Sequence, residues 1–484
     1  MGLQEEIRGE LLRSHSISDI KSNLIKRGYL EADIEDVLKR MLESRTHERS
    51  RNDNVLSTKE LLDRIGYGFA SQQFVNILFM LSGASLLMIG FFNAFKTALV
   101  SFLSGFIKEL SRVKYIGKSI ISSSGIIYGF SFLSMTIAVV IRSPWLFAIS
   151  LLAGTLGIIA HGDLFMEFSK ALLKNERRSD FLRRISYFGI IITALSLLAA
   201  GFVMQAIPLN GTIFGLSFIG LPDFTFRIFG HLLIFEVTAI MFILSGYILS
   251  TVQDRQEIYS HDLNALGFMR NYVSENLASY RIFSKNKKIY LLMVATVLTT
   301  TLQVIGNSYF GIYIYENFKN EFLGGFLNVA VIFVIALAAS LFGSVLTKRF
   351  AKSLGEAPML VFGTLLIALM PLTLYFNSHI YSIALAAALS VVGGSIVGVA
   401  QGLLAERLMD EDERSQYFSG LGFVGIIPII LIGLLGALVA QAISMEFLFL
   451  TLGIGLACVV MPIYFIIVLI VETEYRKEKK TAAG

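Results

Sequence analysis

Ser104-Gly105-Phe106-Ile107-Lys108-Glu109-Leu110-Ser111-Arg112-Val113-Lys114 sets a glycine, an acid and three bases between two long apolar runs. Charged groups are expensive in hydrocarbon, so the stretch reads as a turn between two helices at a membrane surface. Phe342-Gly343-Ser344-Val345-Leu346-Thr347-Lys348-Arg349-Phe350-Ala351-Lys352 repeats the setting, at a shift of 343 − 105 = 238. Gly154…Ala160-His161-Gly162 likewise aligns with Gly394…Ala400-Gln401-Gly402, at 394 − 154 = 240. Two stretches related by nearly one shift imply a unit built twice, with its copies in the same sense across the membrane.

Composition agrees. Of 484 residues, 55% are hydrophobic and 16% charged, and the mean hydropathy is +0.68. That is too apolar for a soluble surface, and about twelve segments reach the ~20 apolar residues that a spanning helix needs. The expected crossings are 71–92, 94–110, 117–141, 145–164, 184–205, 228–250, 289–312, 323–345, 358–376, 380–404, 417–441 and 446–471. These runs do not alternate, which excludes a transmembrane β-barrel. The fold class expected is an all-α integral membrane protein with two pseudo-symmetric six-helix halves, 66–251 and 289–475. A polar linker, 252–288, joins them, and a cytosolic helical appendage with its own linker, 1–60, precedes them.

Bases place the loops. Lys108, Arg112, Lys114 and Lys118, then Lys170 to Arg184, Arg281 to Lys288, Lys348 to Lys352 and Arg476 to Lys480 fall on one side. The other side holds Lys96, Arg142, Arg227 and Lys319. A multi-pass protein of the cell membrane with both termini in the cytoplasm is expected. Residues 1–65 read as polar helices rather than a cleavable signal. Asn210-Gly211-Thr212 is a glycosylation sequon in the longest outer loop.

The motif residues Gly105, Glu109, Arg112 and Lys114 resemble the loop between the second and third helices of the major facilitator superfamily; the second copy has Thr347 where an acid would sit. The resemblance implies a secondary active transporter moving a small solute by alternating access. It also implies a cavity lined by the first, fourth, seventh and tenth helices. Those carry Asn76; His161 and Asp163; Thr296, Thr299, Gln303 and Asn307; and Gln401. Asn76, Gln303, Asn307 and Gln401 are therefore the expected solute ligands. The stripe from Thr296 to Asn307 recurs at spacings of three and four and shares one helix face, as a hydrogen-bonding pathway requires, although interhelical bonding has the same pattern.

A proton-linked gate is expected at His161 and Asp163, which solvation at a helix end would equally explain, and at Glu236, counted near mid-membrane. Gly105, Glu109 and Arg112 are expected to gate at the hinge. Gly394, Gly398 and Gly402 read as a helix-packing stripe.

Leu24-Ile25-Lys26-Arg27-Gly28-Tyr29 before Glu31 resembles the corner of ubiquitin-associated-like modules; a plain helical hairpin ended by Gly28 is the alternative. A non-transporting receptor or scaffold, whose N-terminal helices recruit a cytosolic partner, is the competing function. The lone Cys458 excludes an intrachain disulfide. No phosphate loop, nucleophile elbow or metal-ligand spacing is present, so no catalytic residue, metal or cofactor is expected. The net charge of +5 is scattered among loops, without the aromatic-lined basic surface of a nucleic-acid binder.

Overall fold

The computed structural model describes residues 17–29, 31–113, 117–172, 175–207, 210–216, 224–252, 265–376 and 379–483. Helix α1 (Ile17–Lys26) ends at Gly28, whose φ of 92° suits a residue without Cβ. Gly28 N–H donates to the Ile25 carbonyl at 2.9 Å and Tyr29 N–H to the Leu24 carbonyl at 3.2 Å, the bonds of a glycine-terminated helix. Ile20 and Leu24 then bury against Ile34 of α2.

Helix α2 (Glu31–Phe69) runs on into the bundle, burying Leu56, Lys59 and Asp63. The chain breaks at Ala70 and Ser71, and α3 (Gln72–Leu81) completes the first crossing. This differs from the expected crossing at 71–92, which ran through a turn at residues 82–85 with Gly83 at φ 93°. The run stays apolar across that turn, while the charges of α2 hid the true first half. The second crossing, α4 (Leu86–Val113), consequently holds Lys96 within the helix and not in an outer loop.

The remaining crossings of the first half are α5 (Lys118–Val140), α6 (Pro144–Leu172), α7 (Asn175–Ala206) and α8 (Gly230–Ser250). Between α7 and α8, strands β1 (Thr212–Leu216) and β2 (Phe224–Ile228) pair antiparallel. Helix α9 (Ala265–Lys285) lies in the linker. The second half contains α10 (Lys287–Asn317), α11 (Gly325–Leu354), α12 (Glu356–Tyr375), α13 (Ile380–Leu408) and α14 (Glu411–Ala442). Its last crossing joins α15 (Met445–Ile454), a π turn (Gly455–Val460) and α16 (Met461–Ala483). Eleven of these segments are long and apolar enough to cross a membrane; the divided α2–α3 crossing makes twelve.

The halves meet through α4 with α14, α7 with α11 and α3 with α10. At the end of the bundle bearing the β-hairpin, one apolar core runs through both halves, from Phe74 and Phe79 to Tyr313 and Phe449. At the end bearing the linker, the cores are separate. Leu56, Ile121, Phe165 and Leu249 form one in the first half, and Leu292, Leu360, Leu404 and Tyr464 belong to another in the second. One core thus joins the halves at the hairpin end, while toward the linker end the cores are separate and the halves touch along α4 and α14, where Phe102 meets Phe423.

Candidate functional site

At the linker end of the first half, four side chains from three helices converge. Lys59 and Asp63 stand one turn apart on α2 and pair at 2.7 Å, with 2% of each side chain exposed. Helix α6 contributes His161, fully buried, whose Nε2 lies 3.0 and 3.2 Å from the two Asp63 carboxylate oxygens. Helix α8 contributes Ser245, which donates to Asp63 Oδ1 at 2.5 Å. The Lys59 ammonium also sits 3.4 Å from the centroid of the Phe165 ring, where the π face favours a cation.

Both ring nitrogens of His161 face acceptors. Nδ1 lies 3.0 Å from the Ile121 carbonyl, and Nε2 faces the Asp63 carboxylate, so a hydrogen on either nitrogen has an oxygen to receive it. A lone pair on Nε2 would stand against Asp63. Ser245 Oγ, 3.5 Å from Nε2, is the nearest hydroxyl that could turn to donate there. Proton occupancy and local geometry are therefore linked.

A second polar group surrounds the break in the first crossing. Lys96 of α4 donates to Gln72 Oε1. Gln72 Nε2 donates to Asn76 Oδ1 and Asn93 Oδ1, each at 2.8 Å, and Asn93 Nδ2 donates to Asn76 Oδ1 at 2.9 Å. Asn76 in turn grips the other half, donating to the carbonyls of Asn307 at 3.3 Å and Ser308 at 3.0 Å. Gln73 Oε1 accepts from Gly311 N–H at 2.9 Å, and the Tyr309 hydroxyl donates to the Leu86 carbonyl at 2.9 Å. These bonds close the hairpin end.

In the second half, a cavity of about 420 Å³ opens between α10, α12, α13 and the last crossing. Gln303, Asn307, Ser390 and Ser395 supply its polar lining, with Phe310 and Pro371 among its apolar walls. Gln401 is set apart, donating to the Tyr464 hydroxyl at 2.7 Å, which Thr299 also reaches. Thr299, Gln401 and Tyr464 lie on the seventh, tenth and twelfth crossings, and Asp63, His161 and Ser245 on the first, fourth and sixth. The second copy is thus an uncharged counterpart of the titratable cluster. A Cβ on Gly398 or Gly402 would meet nothing within 4 Å, and one on Gly394 would meet only Gln303 Nε2 at 3.5 Å, so the stripe is not a close-packed seam.

The structure brings Gln303 and Asn307 to one cavity. It seats Asn76 between the halves, Gln401 beside Tyr464, and His161 in a buried network rather than at a solvated helix end. Asp163 is half-buried, and none of the cluster's hydrogen bonds reaches it. Glu236 is exposed on α8, away from the interior groups. Gly105 faces the linker, since a Cβ there would collide with the Tyr272 hydroxyl of α9; the side chains of Glu109 and Arg112 lie outside the described residues. Lys59, Asp63 and Lys96 were missed. The first two stand at i and i+4 beside Leu56 and Leu62, a signal of one polar helix face.

Residues 291–484 match the family model of the Major Facilitator Superfamily. No curated protein matches the chain by sequence. By structure, the bundle is similar to the nucleoside transporter NupG, with TM-score 0.65 and 11% identity over 86% of this chain and 98% of that one. It is also similar to a bacterial homologue of the iron transporter ferroportin in an inward-facing state, with TM-score 0.63 and 14% identity over 86% and 98%. A structure of a proton-dependent oligopeptide transporter gives TM-score 0.58 and 13% identity over 87% and 100%.

Proposed function

We propose that this chain, a multi-pass membrane protein of the major facilitator type, is a secondary transporter that carries a small polar solute by alternating access. The observation that carries the reading is the core that joins the halves at the hairpin end and divides at the linker end. Such a bundle can exchange one sealed end for the other by rocking its halves. The Gln303 and Asn307 amides can each donate and accept, as binding of a polar solute requires. The comparisons point to transport and away from an enzyme.

Coupling to protons is the finer part of the proposal, supported by the His161 network. That network joins a histidine, a carboxylate, an ammonium and a hydroxyl, groups able to pass a proton, and the helices involved, α2, α6 and α8, all belong to one half of the bundle. The excess of bases on the linker side supports a cytosolic linker, cytosolic termini and residence in the cell membrane.

Purified protein in sealed vesicles tests this. A panel of nucleosides, amides and small acids should include a solute that accumulates when a pH gradient is imposed. His161→Gln, which copies the residue of the second half, should abolish accumulation against a gradient but keep exchange at equilibrium. No movement of any solute across wild-type vesicles would favour a receptor or scaffold instead. Unchanged pH-driven accumulation in His161→Gln would remove the proton from the mechanism.

A further inference from the structure

Lys96 stands in the middle of α4, half-buried inside the bundle, and has no carboxylate partner among the described residues. An intramembrane ammonium is expensive unless something negative meets it or water reaches it. Here it touches the oxygen of a neutral amide, Gln72, and that contact does not neutralise it. The amide belongs to the first residue of α3 and itself bonds Asn76 and Asn93, so the lysine sits over the first turn of a helix created by the break. There the early N–H groups of α3 have no partners within the helix, and the helix dipole places partial positive charge. Ser71, at the N-cap position, makes no capping bond, and its hydroxyl is buried without any hydrogen-bond partner. A cation and an idle hydroxyl thus flank the first turn of α3, and both suit an anion.

Depth connects this point with the cavity of the second half. Asn76 touches the carbonyls of Asn307 and Ser308, which fixes the level of α3 against α10. At ~1.5 Å of rise per residue, Ser71 lies roughly 7.5 Å toward the linker end from Asn76, and Gln303 roughly 6 Å in the same direction from Asn307. Ser71 and Gln303 therefore stand at about the same level on facing crossings of the two halves.

We propose that the break in the first crossing is an anion-binding site, in which Lys96, Ser71 and the start of α3 hold the carboxylate or phosphate group of the carried solute while its uncharged part extends toward Gln303 and Asn307. This rests on the transport reading above and adds a substrate class to it: small organic acids or phosphate esters. Binding across the two halves also gives the solute a contact on each, so that its charge bears on the same α3–α10 junction that Asn76 closes.

The test uses the purified full chain in detergent at constant ionic strength, with benzoate, its neutral analogue benzamide and inorganic phosphate as probes, read by thermal unfolding. At least one of the two anions should stabilise the wild type at concentrations where benzamide does not, and the choice between them separates carboxylate from phosphate recognition. Lys96→Met should weaken that binding tenfold or more, Lys96→Arg should largely keep it, and Ser71→Ala should weaken it severalfold. No stabilisation of the wild type by either anion overturns the inference. So does equal anion affinity in Lys96→Met, even if that variant unfolds at a lower temperature, because the lysine would then be structural only. Vesicle flux of the bound anion separates the two readings: binding without flux leaves the site standing and removes the transporter, and flux of neutral solutes alone does the reverse.

Discussion

Asn76→Ala should open the hairpin end. In the sealed state Asn76 Nδ2 donates to two backbone carbonyls of α10, at 3.3 and 3.0 Å. Both bonds cross between the halves, so both are lost when that end opens. Hydrogen bonds between membrane helices average about 0.6 kcal/mol in double-mutant cycles, so the pair contributes about 1.2 kcal/mol to closure. The substitution also leaves Asn93 Nδ2 without its acceptor, but Asn76 and Asn93 belong to the same half, so that loss is common to both states and cancels to first order. At 1.4 kcal/mol per tenfold change, the open-to-sealed ratio should rise about 7-fold. The assay is labelling of a cysteine at position 307, in a background with Cys458→Ser, by a membrane-impermeant thiol reagent added on the hairpin side. Where labelling waits on opening, its rate should rise by the same factor. A rate within twofold of the parent, or a lower one, would mean that the apolar core around Phe74 and Phe326 closes this end without help from the amide.

Three further outcomes are expected. Asp63→Asn leaves Lys59 buried without a counter-charge and should destabilise the first half by about 3–5 kcal/mol; adding Lys59→Met should recover much of this, both read by thermal unfolding. Gly105→Ala should displace Tyr272 and loosen α9 from α4, raising amide hydrogen exchange across Ala265–Lys285, and Tyr272→Ala in the same chain should relieve the collision but leave the helix undocked. Deletion of residues 1–44 should leave the bundle folded, whereas deletion of 1–60 should not, because it removes Leu56 and Lys59, both buried against the first half; equal unfolding temperatures for the two truncations would contradict the placement of α2.

Much of this plan was legible in the residues. The repeated glycine-and-base stretches and the shift near 240 reported two like halves, but neither stretch is a turn: α4 runs on to Val113 and α11 to Leu354, so Lys108, Arg112 and Lys348 lie on helix ends. The stripe on α10 was legible because helical spacing alone places Gln303 and Asn307 on one face. The first crossing was not. Hydropathy averages over a window, and Lys59, Glu60, Asp63 and Arg64 lower it below what a spanning helix should show. Only the fold supplies the His161, Ser245 and Phe165 partners that make those charges tolerable. Displacing that crossing toward 92 also carried Lys96 into a loop and concealed the break at Ser71. The glycines of α13 erred in the other direction, since a small residue every fourth position suits a packed seam and an open wall equally well. Glu236 shows that counting along a helix gives depth but not direction.

The pairing of Lys59 and Asp63 with His161 also constrains how the protein is made. A charge costs about 2.5–3.5 kcal/mol at the centre of a lone helix on scales measured by translocon insertion, and less toward a helix end such as the one that carries Lys59 and Asp63. The charged end of α2 therefore enters lipid poorly by itself when it leaves the ribosome. Its partners arrive later, with α6 nearly a hundred residues on and α8 beyond that. Until then α2 is best kept at the surface or against the translocation machinery, to be drawn inward when the fourth and sixth crossings present the imidazole and the hydroxyl. The first half is in this sense inserted as a group, and a ribosome stalled before α6 should leave a nascent chain whose first helix is still accessible to water-soluble reagents.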